Sequence, residues 1–179
     1  MTTPRWPLAV IDFEASGLGS TTYPIEVGVA VWLGPKERVS VWSRLIRPDA
    51  RWVRDLDWFE LSQQVHGISP RDLVDGASPE AVMHELNRRL GGIGQAHCDG
   101  GKQDLHWMTT LRMDAGVPAT FVLSSLRSSI PDAGEEDWIR MHDWLKHNPA
   151  PHRAGPDVEN IVGAIAHVCG LGMPEFERS

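Results

Sequence analysis

The chain has 179 residues, of which 41% are apolar and 23% charged, an ordinary globular composition with length enough for one domain and a substantial core. Two cysteines exclude a disulfide framework and a cysteine-rich zinc site, and eight tryptophans argue against disorder. A net charge of −7 argues against gripping long duplex tracts through their phosphates, yet leaves room for a protein that takes only a strand end.

Residues 1–7, with Pro4 and Pro7, read as an irregular lead-in. Leu8-Ala9-Val10-Ile11 reads as a buried strand, and Asp12 and Glu14 follow at i and i+2, the spacing that puts two side chains on one strand face. Two like charges so placed repel by about 3 kcal/mol at ~5 Å and an effective dielectric near 20. A bound divalent cation is the most economical compensator. Taken alone, the pair also fits a solvated turn opening at Glu14, with Ala15-Ser16-Gly17 as punctuation.

The β-branched run 25–33 is the second strand, Gly34-Pro35-Lys36-Glu37 a turn, and the alternating segment 39–46 the third, giving an antiparallel start. Residues 47–56 read as irregular. A short helix is expected from Trp58 to Val65, closed by His66-Gly67, followed by a turn at Ser69-Pro70-Arg71-Asp72. Ser78 caps a helix from Pro79 to Leu90, stopped by Gly91-Gly92. Residues 93–98 form a fourth strand, Lys102 to Ala115 a helix and Thr120 to Leu123 a fifth strand. A helix follows from Glu135 to Asn148, and the last runs from Asp157 to about Cys169. The pattern is α/β with a mixed sheet and a central first strand. The longest apolar run, Val27 to Leu33, is too short to span a bilayer, and the start of the chain lacks a basic region followed by an apolar one. The expectation is a soluble, cytoplasmic protein.

His152 stands five positions ahead of Asp157 in the loop before the last helix. Read with Asp12-x-Glu14 and the segment Asp104-Leu105-His106-Trp107-Met108, these residues resemble the DEDDh exonucleases, the family of proofreading polymerase subunits, ribonuclease T and oligoribonuclease. Asp12-Phe13-Glu14-Ala15-Ser16-Gly17-Leu18 is similar to the first family motif, with Ala15-Ser16 where many members have a Thr pair. Asp104, with Trp107 and Met108 three and four positions on, is similar to the second. His152 and Asp157 keep the spacing of the third, and Val65-His66-Gly67-Ile68 is similar to a segment between the first two. Cys98-Asp99-Gly100-Gly101 departs from the usual pattern ahead of the second acid and makes Asp99 a rival to Asp104.

The resemblance implies a ribonuclease H-like α/β domain over 1–179, core about 8–170, with a five-stranded sheet of order 3-2-1-4-5 flanked by helices. It implies a hydrolase that removes nucleoside 5′-monophosphates from single-stranded or frayed 3′ ends of DNA or RNA. It also places Ala15, Ser16, Gly17, Leu18 and His66 against the terminal nucleotide. The chemistry explains the residue types: two Mg²⁺ or Mn²⁺ ions about 3.5–4 Å apart on hard oxygen ligands can clamp the attacking and leaving oxygens. Asp12 would bridge them, Glu14 and Asp157 would complete one shell, and Asp104 would serve the second ion. His152 as a neutral imidazole would take the proton of the attacking water. Two alternatives stand beside this reading: a non-catalytic nucleic-acid-binding or scaffolding protein on the same fold, and an oligoribonuclease for very short RNA. A homodimer is left open.

Overall fold

The computed structural model describes residues 2–179, so of the lead-in only Met1 lies outside the described residues. Three antiparallel strands come first, β1 (Leu8–Ala15), β2 (Pro24–Trp32) and β3 (Val39–Leu45). The short helices α1 (Ala50–Asp55) and α2 (Glu60–His66) precede α3 (Pro79–Leu90). Strand β4 (Gln95–Cys98), helix α4 (Lys102–Ala115) and strand β5 (Val122–Ser125) alternate after it, and both strands join the sheet in parallel. The chain closes with α5 (Glu135–His147), α6 (Ala154–Val168) and β6 (Phe176–Arg178). The sheet order is β5-β4-β1-β2-β3-β6. This is the expected 3-2-1-4-5 arrangement, with a sixth strand added parallel to β3 at the edge.

The alternation along β1 determines what each face of the sheet becomes. Ala9, Ile11, Phe13 and Ala15 pack in the core beneath α3 and α4, with Val82, Met83, Leu86, Trp107, Met108 and Leu111. Leu8 and Val10 face the other core, under α5 and α6, with Met141, Val158, Ile161 and Ile165. Asp12 and Glu14 continue this second row by the two-residue period of a strand. In register, Leu8 lies opposite Trp32, Val10 opposite Ala30, Asp12 opposite Gly28 and Glu14 opposite Glu26. The face is apolar where α6 covers it and acidic where α6 begins.

Gly28 is what lets α6 begin there. A Cβ on Gly28 would stand 2.1 Å from the Ala154 carbonyl oxygen, and one on Gly155 would stand 2.9 Å from Ser43 Oγ. The first turn of α6 therefore rests on the backbone of β2, the close approach that glycine permits.

Several elements differ from their sequence reading. Helix α6 starts at Ala154 rather than Asp157, because Glu26 of β2 accepts the Ala154 N–H at 3.0 Å and so caps the helix from across the fold. Pro156 then sits in the first turn, where its missing N–H costs nothing. Residues 47–56 contain α1, capped by Asp49 accepting the Arg51 N–H at 2.8 Å and anchored by buried Trp52. Helix α2 begins at Glu60 rather than Trp58, and β5 lies two residues later than expected, since Val122 pairs with Gln95. Ser78 caps α3 as expected, accepting the Ala81 N–H at 3.3 Å. Among the described residues no helix is long and apolar enough to cross a membrane.

Candidate metal centre

Asp12, Glu14 and Asp157 each offer a carboxylate oxygen, and these atoms lie within 4.8 Å of one another. Two come from alternate positions of β1 and the third from the first turn of α6. They open into a cleft of about 430 Å³ whose wall also takes Asp99, Leu145, Pro149, Ala150, His152, Asn160 and Ile161. The motif residues Asp12, Glu14, His152 and Asp157 therefore share one cavity, although about 140 residues of sequence separate the first pair from the second.

Electrostatics at this point are unbalanced. Desolvation, then Glu14, Asp99, Asp157 and Asp104, push the Asp12 carboxyl well above the usual range. Desolvation, with Asp157 and Glu26 nearby, pushes Glu14 up to about 8, and it lies close enough to Asp157 to share a proton. Asp157 is raised by burial and drawn back by His152. With both acids ionised, Asp157 Oδ1 is buried and has no hydrogen-bond partner among the described residues. Close hard oxygens, mutual repulsion and an orphaned lone pair suit a divalent cation with oxygen ligands, such as Mg²⁺ or Mn²⁺. The nearby cation Arg153 already spends its fork on Glu26, at 2.9 and 2.8 Å.

The two acids of the second motif divide. Asp99, at the end of β4, lines the cleft and stands exposed. Asp104 is 1% exposed, accepts the Gly100 N–H at 2.8 Å and lies against the Cys98 thiol. As third residue of α4 it reaches back to the N–H of Gly100, the residue before the helix's N-cap. Burial raises its carboxyl to about 6. Asp104 thus helps hold the start of α4, and the carboxylate brought to the cavity wall is Asp99.

The expected substrate contacts divide as well. Ser16 is fully buried and committed: its N–H donates to Tyr23 O, its carbonyl accepts from Phe59 N–H, and its hydroxyl donates to Asp57 O while accepting from Tyr23 N–H. It holds the turn, with each of its polar groups paired inside the protein. Ala15 is buried in the core, and Gly17 lies so close to the Phe59 ring that a Cβ would stand 2.1 Å from it. Leu18 is 73% exposed and remains available. His66 is buried, with Nδ1 accepting the Ile68 N–H at 3.0 Å and Nε2 without a partner among the described residues.

Glu26, Arg153 and Asn160 were not singled out from sequence. Glu26 carried a signal, since a carboxylate within the apolar run Ile25-Glu26-Val27 must be paired once the strand is buried. Asn160 carried none.

No protein-family model matches the chain, and no curated protein matches it. Solved structures do. Exonuclease I from Methylocaldum szegediense is similar at a TM-score of 0.61 and 12% identity, over 91% of this chain and 40% of that one. A zinc-bound E. coli ExoI–ssDNA complex is similar at 0.53 and 10%, over 82% and 31%. A 3′-exonuclease solved for 3′-end specific recognition of histone mRNA stem-loop is similar at 0.64 and 14%, over 90% and 62%. This chain thus spans less than two thirds of each of these relatives. The neighbours are exonucleases, the class of enzyme that the motifs resemble, and the chain has their ribonuclease H-like α/β fold.

Proposed function

We propose that the chain is a metal-dependent 3′-to-5′ exonuclease that releases nucleoside 5′-monophosphates from single-stranded or frayed 3′ ends. The observation that carries this reading is the convergence of Asp12, Glu14 and Asp157 within 4.8 Å, at the open end of the sheet of an exonuclease fold. These three would hold one cation, and Asp99, with Asp104 behind it, the second. Mg²⁺ or Mn²⁺ when bound supplies charge for the phosphoryl oxygens and acidifies water. His152, exposed on the loop before α6, accepts the proton of the attacking water. Leu18 and Phe59, 73% and 42% exposed, offer apolar surface to the terminal base. The net charge of −7 suits a substrate held by its end rather than along its backbone.

The test is incubation of 5′-labelled single-stranded DNA and RNA, and of dinucleotides, with Mg²⁺ or Mn²⁺. Stepwise shortening with release of 5′-monophosphates is expected, and preference among the three names the natural substrate class. Binding without product would replace the proposal by a scaffolding role on the same fold.

In the same assay, His152→Ala is expected to lower kcat by about 10²- to 10⁴-fold, the usual worth of a positioned base. Mn²⁺ affinity should stay within a few-fold, since His152 lies outside the carboxylate triad. Unchanged kcat would remove His152 from the mechanism. For the second motif, Asp99→Asn should lower turnover about 10²-fold without loss of thermal stability. Asp104→Ala should cost about 1–2 kcal/mol in denaturant unfolding, as loss of a helix-start bond does. A fully active Asp99→Asn would return the second ion to Asp104.

A further inference from the structure

The loop that carries His152 comes from the far end of the chain and must be held against β1 by something other than its own sequence. The His152 backbone lies in the left-handed region, φ 53°, the single non-glycine residue to do so among those described. Its side chain makes no hydrogen bond among the described residues, and it is exposed. The residue after it is tied down firmly. Arg153 Nε donates to Glu26 Oε2 at 2.9 Å and Arg153 Nη2 to Oε1 at 2.8 Å, while the Ala154 N–H donates to Oε2 at 3.0 Å. Three donors from one turn of chain thus converge on one carboxylate of β2 whose side chain is 5% exposed. That carboxylate sits directly opposite Glu14 in the β1–β2 register.

We infer that Glu26 and Arg153 form a latch that positions His152 over the carboxylates of β1. They are positioning residues and touch no reacting atom. The start of α6, and with it Asp157, has a second restraint in the glycine contacts Gly28–Ala154 and Gly155–Ser43. His152 lies on the loop side of these contacts, and the neighbouring guanidinium is what holds it. A planar fork fixes both distance and angle, which the single ammonium of a lysine cannot do. Here the carboxylate is buried and the guanidinium half-exposed, and desolvating a charge makes such a pair a poor way to add stability, whereas imposing one geometry is an attested use. The catalytic consequence rests on the exonuclease reading, whereas the latch itself can be observed without turnover.

The experiment uses the full chain with Arg153→Gln and, because that variant leaves Glu26 buried without its partner, also Arg153→Lys, which keeps the charge and loses the fork. Hydrogen exchange followed by mass spectrometry is expected to show residues 148–156 exchanging at least about tenfold faster in Arg153→Gln, with the β1 peptide unchanged. On a cleaved strand, kcat should fall about 30-fold in Arg153→Gln and about tenfold in Arg153→Lys, with KM within about threefold, as a displaced base predicts. In a His152→Ala background, Arg153→Gln should cost nothing further, because the group it positions is gone. Unchanged exchange at 148–156 in either folded variant overturns the latch. An equal loss of kcat with and without His152 overturns its action through His152. Faster exchange in Arg153→Gln alongside a wild-type protein that cleaves no strand leaves the latch standing and removes the exonuclease reading.

Discussion

Asp12→Asn is expected to have opposite effects on activity and stability. Asp12 shares one face of β1 with Glu14 and lies within 4.8 Å of both Glu14 and Asp157 in ligand atoms. Replacing an ionised ligand by an amide removes charge where charge is needed, and a loss of at least about 10³-fold in turnover follows from the several kcal/mol that a bound cation contributes. The same change removes the like charge against which Glu14 and Asp157 must ionise. A carboxylate about 5 Å away at an effective dielectric near 20 repels by about 3 kcal/mol at most. Without divalent cations and above pH 8, where Glu14 is ionised, the variant should therefore melt at least about 2 °C above wild type, and Mn²⁺ should no longer raise its Tm. Turnover within tenfold of wild type would sink the assignment of Asp12 as a ligand.

The second large effect is in how stability depends on pH and metal together. Burial and neighbouring acids raise Glu14 in the folded protein to about 8, from an ordinary 4.5, and burial raises Asp104 to about 6. Between about pH 4.5 and 8 the folded protein holds a proton at Glu14 that the unfolded chain has released. The stabilisation from that proton is complete below pH 4.5 and is lost as pH rises through 8, so metal-free protein should lose stability with rising pH. Discounted for partial exposure, the loss is about 2–3 kcal/mol. Acids held low by ion pairs, such as Glu85 at about 2 through Arg88 and Arg89, titrate below this window and do not mask it. A cation competes with the proton for the same oxygens, so stabilisation by Mn²⁺ should grow from pH 5 to pH 8. Tm measured across that range with 1 mM EDTA and with saturating Mn²⁺ checks both slopes. Parallel curves would mean that the carboxylate cluster does not bind the cation.

These expectations separate two kinds of information. The placement of Asp12 and Glu14 was legible because a strand alternates: once Leu8 and Val10 face the core, the next two even positions share their face. Helix α3 and the length of α4 were legible from caps and glycine stops, which act within a few residues. The spacing of His152 and Asp157 was legible, but the start of α6 was not, since its cap is supplied by Glu26, 128 residues away in sequence. Strand β6 escaped for a related reason, since three residues at a sheet edge take their conformation from their partner β3.

The contest between Asp99 and Asp104 shows where local reading stops. Their spacing from Trp107 and Met108 favoured Asp104, yet a cavity wall is set by how β4 ends and how the next turn folds, and there Asp104 turns back to the Gly100 N–H while Asp99 points outward to the cleft. Ser16 stood in the motif stretch and proved to be a structural pin, because all its polar groups find partners that lie 7 to 43 residues further along the chain. By itself the amino-acid sequence determined that two carboxylates share one face of β1, since that depends only on a two-residue period. Which groups meet them was decided by the tertiary structure: Gly28 admits the first turn of α6 and Glu26 ties down Arg153, contacts between distant segments that no local periodicity encodes.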